Sequence, residues 1–527
     1  MLKNTTQGGA AGDGENGVSL GVNGGDGGNF NNQHNSNHAV HLFTDIANTN
    51  TTLNILASAT GGRGGNGGNA SCSIFSCGDG GHGGNGEEAI SITPLNNGNT
   101  TVVLNTEILS AVVTGGAGGQ GGTGVTSGNG GHGGEAIFIT NDGIASDGFS
   151  SSLTATANIR SSVVGGQGGA GVTAGNGGAG INIVDGTSGT NNTTLNIGYK
   201  DDSNTTSTDH LVTIKGGQAG GSSGTAGVGI VADIDNAGSS LTLNIAASGV
   251  IEGTSSSSTG AKIGTAIDAS ASTQSMTMKG GGKILGNILL PNNTSDTDRN
   301  DITISNAVSG YIIGDGNNDY TLLDGTFSPE DTFYGIQDTK NGELDTLTVG
   351  NGTTSQFTSA CDIHNTACNN KAGFPTLHEV DTITIKDKAN FVSYGAISQE
   401  GGVRGTMTLE SQGTASLLEL NLGSQMTLKN VLTGSTLDDS GNVNTDGYTR
   451  IDADITVNGN SGIVFEVAPG INRVPGLRLY SDTMGSLTLN QYGVVKLAIG
   501  FSQIDQRNRT IQGAYNSAAD SVFFYSV

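Results

Sequence analysis

The sequence predicts an all-β protein, an elongated parallel β-helix (β-solenoid) whose N-terminal half interleaves glycine-rich polyproline II arms with its strands. Three observations predict it. A Gly-Gly-x pattern of period three recurs at intervals of about fifty residues, which is repeat-protein spacing. A threonine-rich, alternating apolar pattern follows each recurrence, and no segment sustains a helical period. Finally, 91 Gly, no Trp and 5% aromatic residues leave 527 residues too poor in large side chains to fill one globular core. Burial then has to come from many small, repeated contacts.

The first arms open at Gly61-Gly62-Arg63-Gly64-Gly65, Gly115-Gly116-Ala117-Gly118-Gly119, Gly165-Gly166-Gln167-Gly168-Gly169 and Gly216-Gly217-Gln218-Ala219-Gly220-Gly221. Second arms follow at Gly80-Gly81-His82-Gly83-Gly84, Gly130-Gly131-His132-Gly133-Gly134 and Gly177-Gly178-Ala179-Gly180. A period of three matches one turn of a polyproline II helix, and two glycines in three let such helices touch while the third side chain points outward. Glycine does this at an entropic cost, so neighbours must hold it. Units therefore start near residues 8, 61, 115, 165 and 216.

After each second arm comes a strand pattern such as Ala89-Ile90-Ser91-Ile92, Ala136-Ile137-Phe138-Ile139 or Ile181-Asn182-Ile183-Val184. A second strand lies further on, as in Val102-Val103-Leu104-Asn105, Leu195-Asn196-Ile197 and Leu241-Thr242-Leu243-Asn244-Ile245. Period-two alternation with β-branched residues marks strands that bury one face. From about Pro291 the glycine arms stop while the strand pattern continues, with Thr346-Leu347-Thr348-Val349, Thr382-Ile383-Thr384-Ile385 and Ile455-Thr456-Val457-Asn458 among its members. The chain therefore divides into a glycine-rich repeat solenoid, 1–289, and a β-solenoid without glycine arms, 290–527.

Charge narrows the function classes. With 21 Lys plus Arg against 46 Asp plus Glu, the formal charge of −25 repels phosphate backbones, so nucleic acid is not an expected partner. No apolar run reaches the length of a transmembrane helix. The N-terminal residues do not lead into a secretory signal, and the expectation is that one lies upstream. That expectation rests on the cysteines, which fall into two close pairs, Cys72/Cys77 and Cys361/Cys368, as small-loop disulfides of exported proteins do.

The recurring Leu-Thr-Leu-Asn or Ile-Thr-Val-Asn strand followed by Gly, with Asn458-Gly459-Asn460-Ser461-Gly462-Ile463-Val464-Phe465 as the nearest match, resembles the passenger region of bacterial type V autotransporters and large surface adhesins. The resemblance covers about residues 240 to 500. It implies a parallel β-helix displayed at a bacterial cell surface, associated with the outer membrane or released, with a translocating β-barrel encoded downstream or elsewhere. The sequence ends at Phe523-Phe524-Tyr525-Ser526-Val527 without the strands of such a barrel. The glycine-rich half also resembles the Gly-Gly-x arrays of mycobacterial surface proteins.

Gly253-Thr254-Ser255 and Gly186-Thr187-Ser188 lie in Ser/Thr/Gly-rich tracts where such triplets arise by chance, and His378-Glu379 lacks the second histidine of a metalloprotease helix. No catalytic residue, cofactor or metal site is assigned. Cys361-Asp362-Ile363-His364 through Cys368 offers two thiols and an imidazole, but zinc needs a fourth ligand, and a disulfide is the preferred reading. Asp26, His82 and His132 are read as equivalent outward positions of successive units, where in register they could stack into a weak divalent-metal or proton-sensitive stripe; Ala179 breaks the series, and an outward slot that tolerates any polar residue is the plainer reading. Asn-x-Ser/Thr sequences such as Asn192-Thr193-Thr194 arise readily in a chain so rich in Asn and Thr.

The expected function is therefore that of a non-catalytic, surface-displayed or secreted structural and adhesive protein, binding a host cell, a matrix or neighbouring copies of itself. The enzymatic alternative is a polysaccharide hydrolase or lyase on a β-helix, which would need paired carboxylates in a groove. Asp and Glu are instead scattered rather than grouped on strands, as at Asp452-Ala453-Asp454. A third reading is ice or mineral binding, which needs regular Thr-x-Thr on an exposed face.

Overall fold

A computed structural model describes residues 38–44, 49–71, 78–94, 98–107, 111–141, 151–186, 189–198, 211–254, 264–293, 298–314, 316–327 and 345–352, with Asp13, Asp26 and further short segments, mostly strands, up to 526. Among the described residues the regular elements are all β-strands. Two compact units are present, 1–293 and 294–527. The four cysteines lie outside the described residues.

In the first unit each coil gives one strand to each of three parallel sheets. Sheet I contains Ala59–Thr60, Val112–Thr114, Ser162–Val164, Val212–Lys215, Gly249–Glu252 and Lys283–Leu285. Sheet II contains Val40–Thr44, Ile90–Pro94, Ile137–Asn141, Ile181–Asp185, Ile230–Asp233, Thr265–Asp268 and Asn287–Leu289. Sheet III contains Thr49–Ile55, Asn99–Thr106, Ser152–Ile159, Thr190–Ile197, Ser240–Ile245 and Met276–Gly280. The unit is a parallel β-helix, as the sequence predicts. Sequence reading finds two strands per coil; the third, in sheet I, is too short for alternation to show.

The pairing explains how small residues and a few aliphatics make a dry interior. Ile90, Ile137, Ile181, Ile230 and Ile267 are paired in register from coil to coil and are all 0% exposed. Val113, Val163, Ile214, Ile251 and Ile284 make an equivalent column in sheet I. Because parallel pairing stacks identical positions, one apolar residue type repeated per coil covers itself above and below. Each such fully buried aliphatic contributes about 2 to 3 kcal/mol.

Between sheets I and II of successive coils run the glycine arms. They carry no hydrogen bonds of their own and instead bond to neighbouring arms every third residue, the arrangement expected of packed polyproline II helices. Gly61, Gly64 and Gly67 donate to Thr114, Ala117 and Gln120 of the next coil. Gly81 and Gly84 donate back to Gly68 and Gly65, and Gly116, Gly119 and Gly122 donate to Glu87, Gly84 and Gly81. Both glycines of a triplet are thus enclosed by backbone. A Cβ on Gly119 would stand 2.5 Å from the Gly65 carbonyl carbon and closer still to its oxygen. Ala226 stands where Gly177 stands one coil earlier, and Gly177 faces Gly217 of the following arm. No further Gly-Gly-x arm follows Ala226 in the sequence, so a methyl group there has no such arm to meet.

The second unit repeats the architecture without arms. Its strands Asn300–Ile304, Asn318–Leu322, Thr346–Val349, Thr382–Ile385, Gly405–Leu409, Ala453–Val457 and Leu487–Leu489 pair in parallel order. Ile302, Tyr320, Leu347, Ile383 and Ile455 from these strands are buried. Among the described residues, departures from parallel order are a short hairpin of Thr436–Leu437 with Val443–Asn444 and the antiparallel pairs of Ile511–Asn516 with Ser521–Ser526 and of Gly476–Leu479 with Ser521–Ser526.

Candidate functional site

Three surface features of the first unit arise from coil-to-coil register. The first lies on the outward residues of the arms, the x of Gly-Gly-x. These backbone N–H groups point along the stack, and the side chain of the preceding coil accepts them. Asp26 Oδ1 accepts from His82 N at 2.7 Å, and His82 Nδ1 accepts from Asn129 N at 2.9 Å. Asn129 Oδ1 then accepts from Thr173 N at 3.3 Å. A neighbouring line runs from Asn85 to His132, from His132 Nδ1 to Asn176 N at 2.9 Å, and from Asn176 to Thr225. On the first arms Asp13 accepts from Asn66, and Asn66 from Gln120. The outward slot therefore suits side chains with an acceptor three bonds from Cα, namely Asp, Asn or His accepting at Nδ1, which complete the one amide per triplet that the glycines leave unbonded.

This corrects the stripe read from the sequence. Asp26 and His82 share a line, but the next member is Asn129, and His132 belongs with Asn85 and Asn176. Ala179 follows Glu135, as the bond from Ala136 N to Ala179 O shows. The register is set by the strand after the arm. His82 stands eight residues before Ile90 and Asn129 eight before Ile137, whereas His132 stands only five before it. Counting back from the strand gives the columns from His82 and Asn85 onward, although not Asp26, which stands fourteen residues before Val40.

The second feature is a furrow of about 640 Å³ between sheet I and the first arms. One wall is the paired column Thr60, Thr114, Val164, Lys215 and Glu252. Opposite stand Arg63, Ala117, Gln167 and Gln218. It crosses several coils, mixes polar side chains with Val164 on one side and Ala117 on the other, and has Glu252 in its lining.

The third feature is a titratable cluster at the corner where the second arms enter sheet II. His38, Glu88 and Glu135 each stand two residues before the paired Val40, Ile90 and Ile137. His38 Nδ1 is 3.0 Å from Glu88 Oε2 and 3.8 Å from Glu87 Oε2, with the side chains 9%, 23% and 15% exposed. The ring of His41 meets that of His38 edge to face at 4.9 Å. Burial, then the charge of Glu88, pushes the Glu87 carboxyl up to about 7. Burial also raises Glu135, with the Glu88 charge adding to it. Glu88 is held below its ordinary range: burial opposes this, but the hydrogen bond and charge of His38 outweigh it. His38 is raised in turn, its desolvation being outweighed by Glu88 and then Glu87. Sequence reading singled out none of these residues, although the same count back from the strand aligns them.

Cys72, Cys77, Cys361 and Cys368, the disulfide candidates, lie outside the described residues, as does His364. Among the described residues no helix is long and apolar enough to cross a membrane. No family model matches this chain, and neither a curated protein nor a solved structure matches it.

Proposed function

We propose that this chain is a non-catalytic structural and adhesive protein of the passenger kind, displayed at or released from a bacterial cell surface, which binds a repetitive partner through repeated side-chain columns. The observation that carries the reading is the outward face of the long strands. In the second unit Thr303, Thr321, Thr348, Thr384, Thr408 and Thr456 pair in one line, each half-exposed. In the first unit Asn54, Asn105, Asn158, Asn196 and Asn244 form a ladder, each amide donating to the one before at 2.7 to 2.9 Å. Parallel neighbours are about 4.8 Å apart, so such columns offer the same hydroxyl or amide at a fixed interval. Single contacts of this kind are weak, and many in register give avidity toward a host surface, a matrix polymer or a second copy.

The test is binding of the purified chain to cultured cells and to immobilised matrix, compared with a variant carrying Thr348→Lys and Thr384→Lys. Loss of binding with unchanged circular dichroism supports the reading. Undiminished binding by the variant would remove the threonine face from it, and turnover of a glycan would replace it with the enzymatic alternative. The same face gives the ice reading a specific basis, because Thr346 and Thr348 stand beside Thr382 and Thr384 as Thr-x-Thr pairs in register. A thermal-hysteresis measurement separates it from adhesion.

A further inference from the structure

We propose that His38, Glu87 and Glu88 form a binding site for a zinc-class divalent cation, which ties the strand Val40–Thr44 to the second glycine arm of the following coil. One donor atom from each of the three residues lies within 4.8 Å of the others. A tetrahedral ion with ligands at about 2.0 to 2.1 Å needs its donors roughly 3.3 to 3.5 Å apart. The distances from His38 Nδ1, 3.0 Å to Glu88 Oε2 and 3.8 Å to Glu87 Oε2, straddle that value. A shift of about 1 Å in one glutamate side chain closes the remaining gap to the ligand separation of such an ion.

Donor chemistry selects the ion class. One imidazole nitrogen and two carboxylates suit zinc and its first-row neighbours, whereas calcium takes six to eight oxygens and magnesium keeps mostly water and oxygen.

A further observation points to an ion rather than to a simple ion pair. A single His38–Glu88 pair leaves Glu87 and Glu135 crowded in the same half-buried corner, three carboxyl groups against one imidazole. A dication is what offsets such a surplus of carboxyl groups. The location adds a reason for such a site. His38 is on the coil before Glu87 and Glu88, so the ion would cross-link two coils at the corner where the arms give way to sheet II.

The test uses the full chain, stripped with chelator and reduced, with its thiols alkylated so that cysteine cannot bind the metal. Zinc chloride titrated by calorimetry should show one site per chain and raise the melting temperature, while calcium and magnesium chloride should do neither. Glu87→Gln and Glu88→Gln should each weaken zinc binding at least tenfold, and His38→Ala should abolish it. Cobalt in place of zinc should give the weak visible bands of nitrogen and oxygen ligation. Glutamine substitutions preserve shape, and an unchanged circular dichroism spectrum reports an intact coil. No zinc binding by the native chain, or binding that Glu87→Gln and Glu88→Gln leave unaltered, overturns the proposal.

Discussion

Gly119→Ala tests the packing of the arms directly. Gly119 N donates to Gly84 O at 2.7 Å, Gly119 O accepts from Gly131 N at 2.9 Å, and the added Cβ would collide with the carbonyl of Gly65, which itself accepts from Gly84 N at 2.7 Å. Moving from 2.5 Å to ordinary contact requires roughly 1 Å of backbone displacement, enough to strain all three bonds. Each bond is worth about 1 kcal/mol net, and overpacking an enclosed site costs about 1 to 3 kcal/mol, so the expected loss is roughly 4 to 6 kcal/mol. Gln120→Ala is the control, because its side chain is exposed and its backbone bonds remain; it should cost about 0.5 kcal/mol or less. A second control is Ala226→Gly, expected within about 1 kcal/mol. Repeat proteins open locally, so the assay is hydrogen exchange followed by mass spectrometry over peptides covering 115 to 135, with a thermal melt alongside. Equal exchange and melting for Gly119→Ala and Gln120→Ala would refute the claim that the arms form a close-packed bundle.

The outward columns give a prediction that follows from geometry. His82 Nδ1 accepts from Asn129 N and His132 Nδ1 from Asn176 N. His82→Ala should therefore lower the exchange protection of the Asn129 amide while leaving that of Asn176, and His82→Asn, which keeps an acceptor three bonds from Cα, should restore it. Asn158→Ala breaks two rungs of the asparagine ladder and should destabilise the first unit by about 1 to 3 kcal/mol in denaturant unfolding, whereas Asn50→Ala, at an exposed edge position, should change little. Ile181→Ala leaves a hole in a column with Ile137 and Ile230 on either side and should cost about 2 to 5 kcal/mol by the same measurement.

Much of the fold was legible because its signals are local. Alternation in Leu241-Thr242-Leu243-Asn244-Ile245 and the triplets of the arms are properties of five or six consecutive residues. The short sheet I strands, such as Val112–Thr114, fall below the length at which alternation can be told from chance. The candidate site was not legible in the same way. His38 and Glu88 are fifty residues apart, and what links them is that each stands two residues before strands, at Val40 and Ile90, whose pairing the sequence does not state.

By itself, then, the sequence determined the repeating local geometry: which residues extend, which triplets of glycine pack as polyproline II, and which side of each strand is apolar. The tertiary structure alone decided the register between coils, and with it which outward residue meets which. That division has a physical cause. Alternation and period are fixed by steric preferences within a turn, whereas register is fixed by hydrogen bonds between coils about fifty residues apart, and moving an arm by one triplet exchanges His132 for Asn129 beside His82 without altering any local pattern.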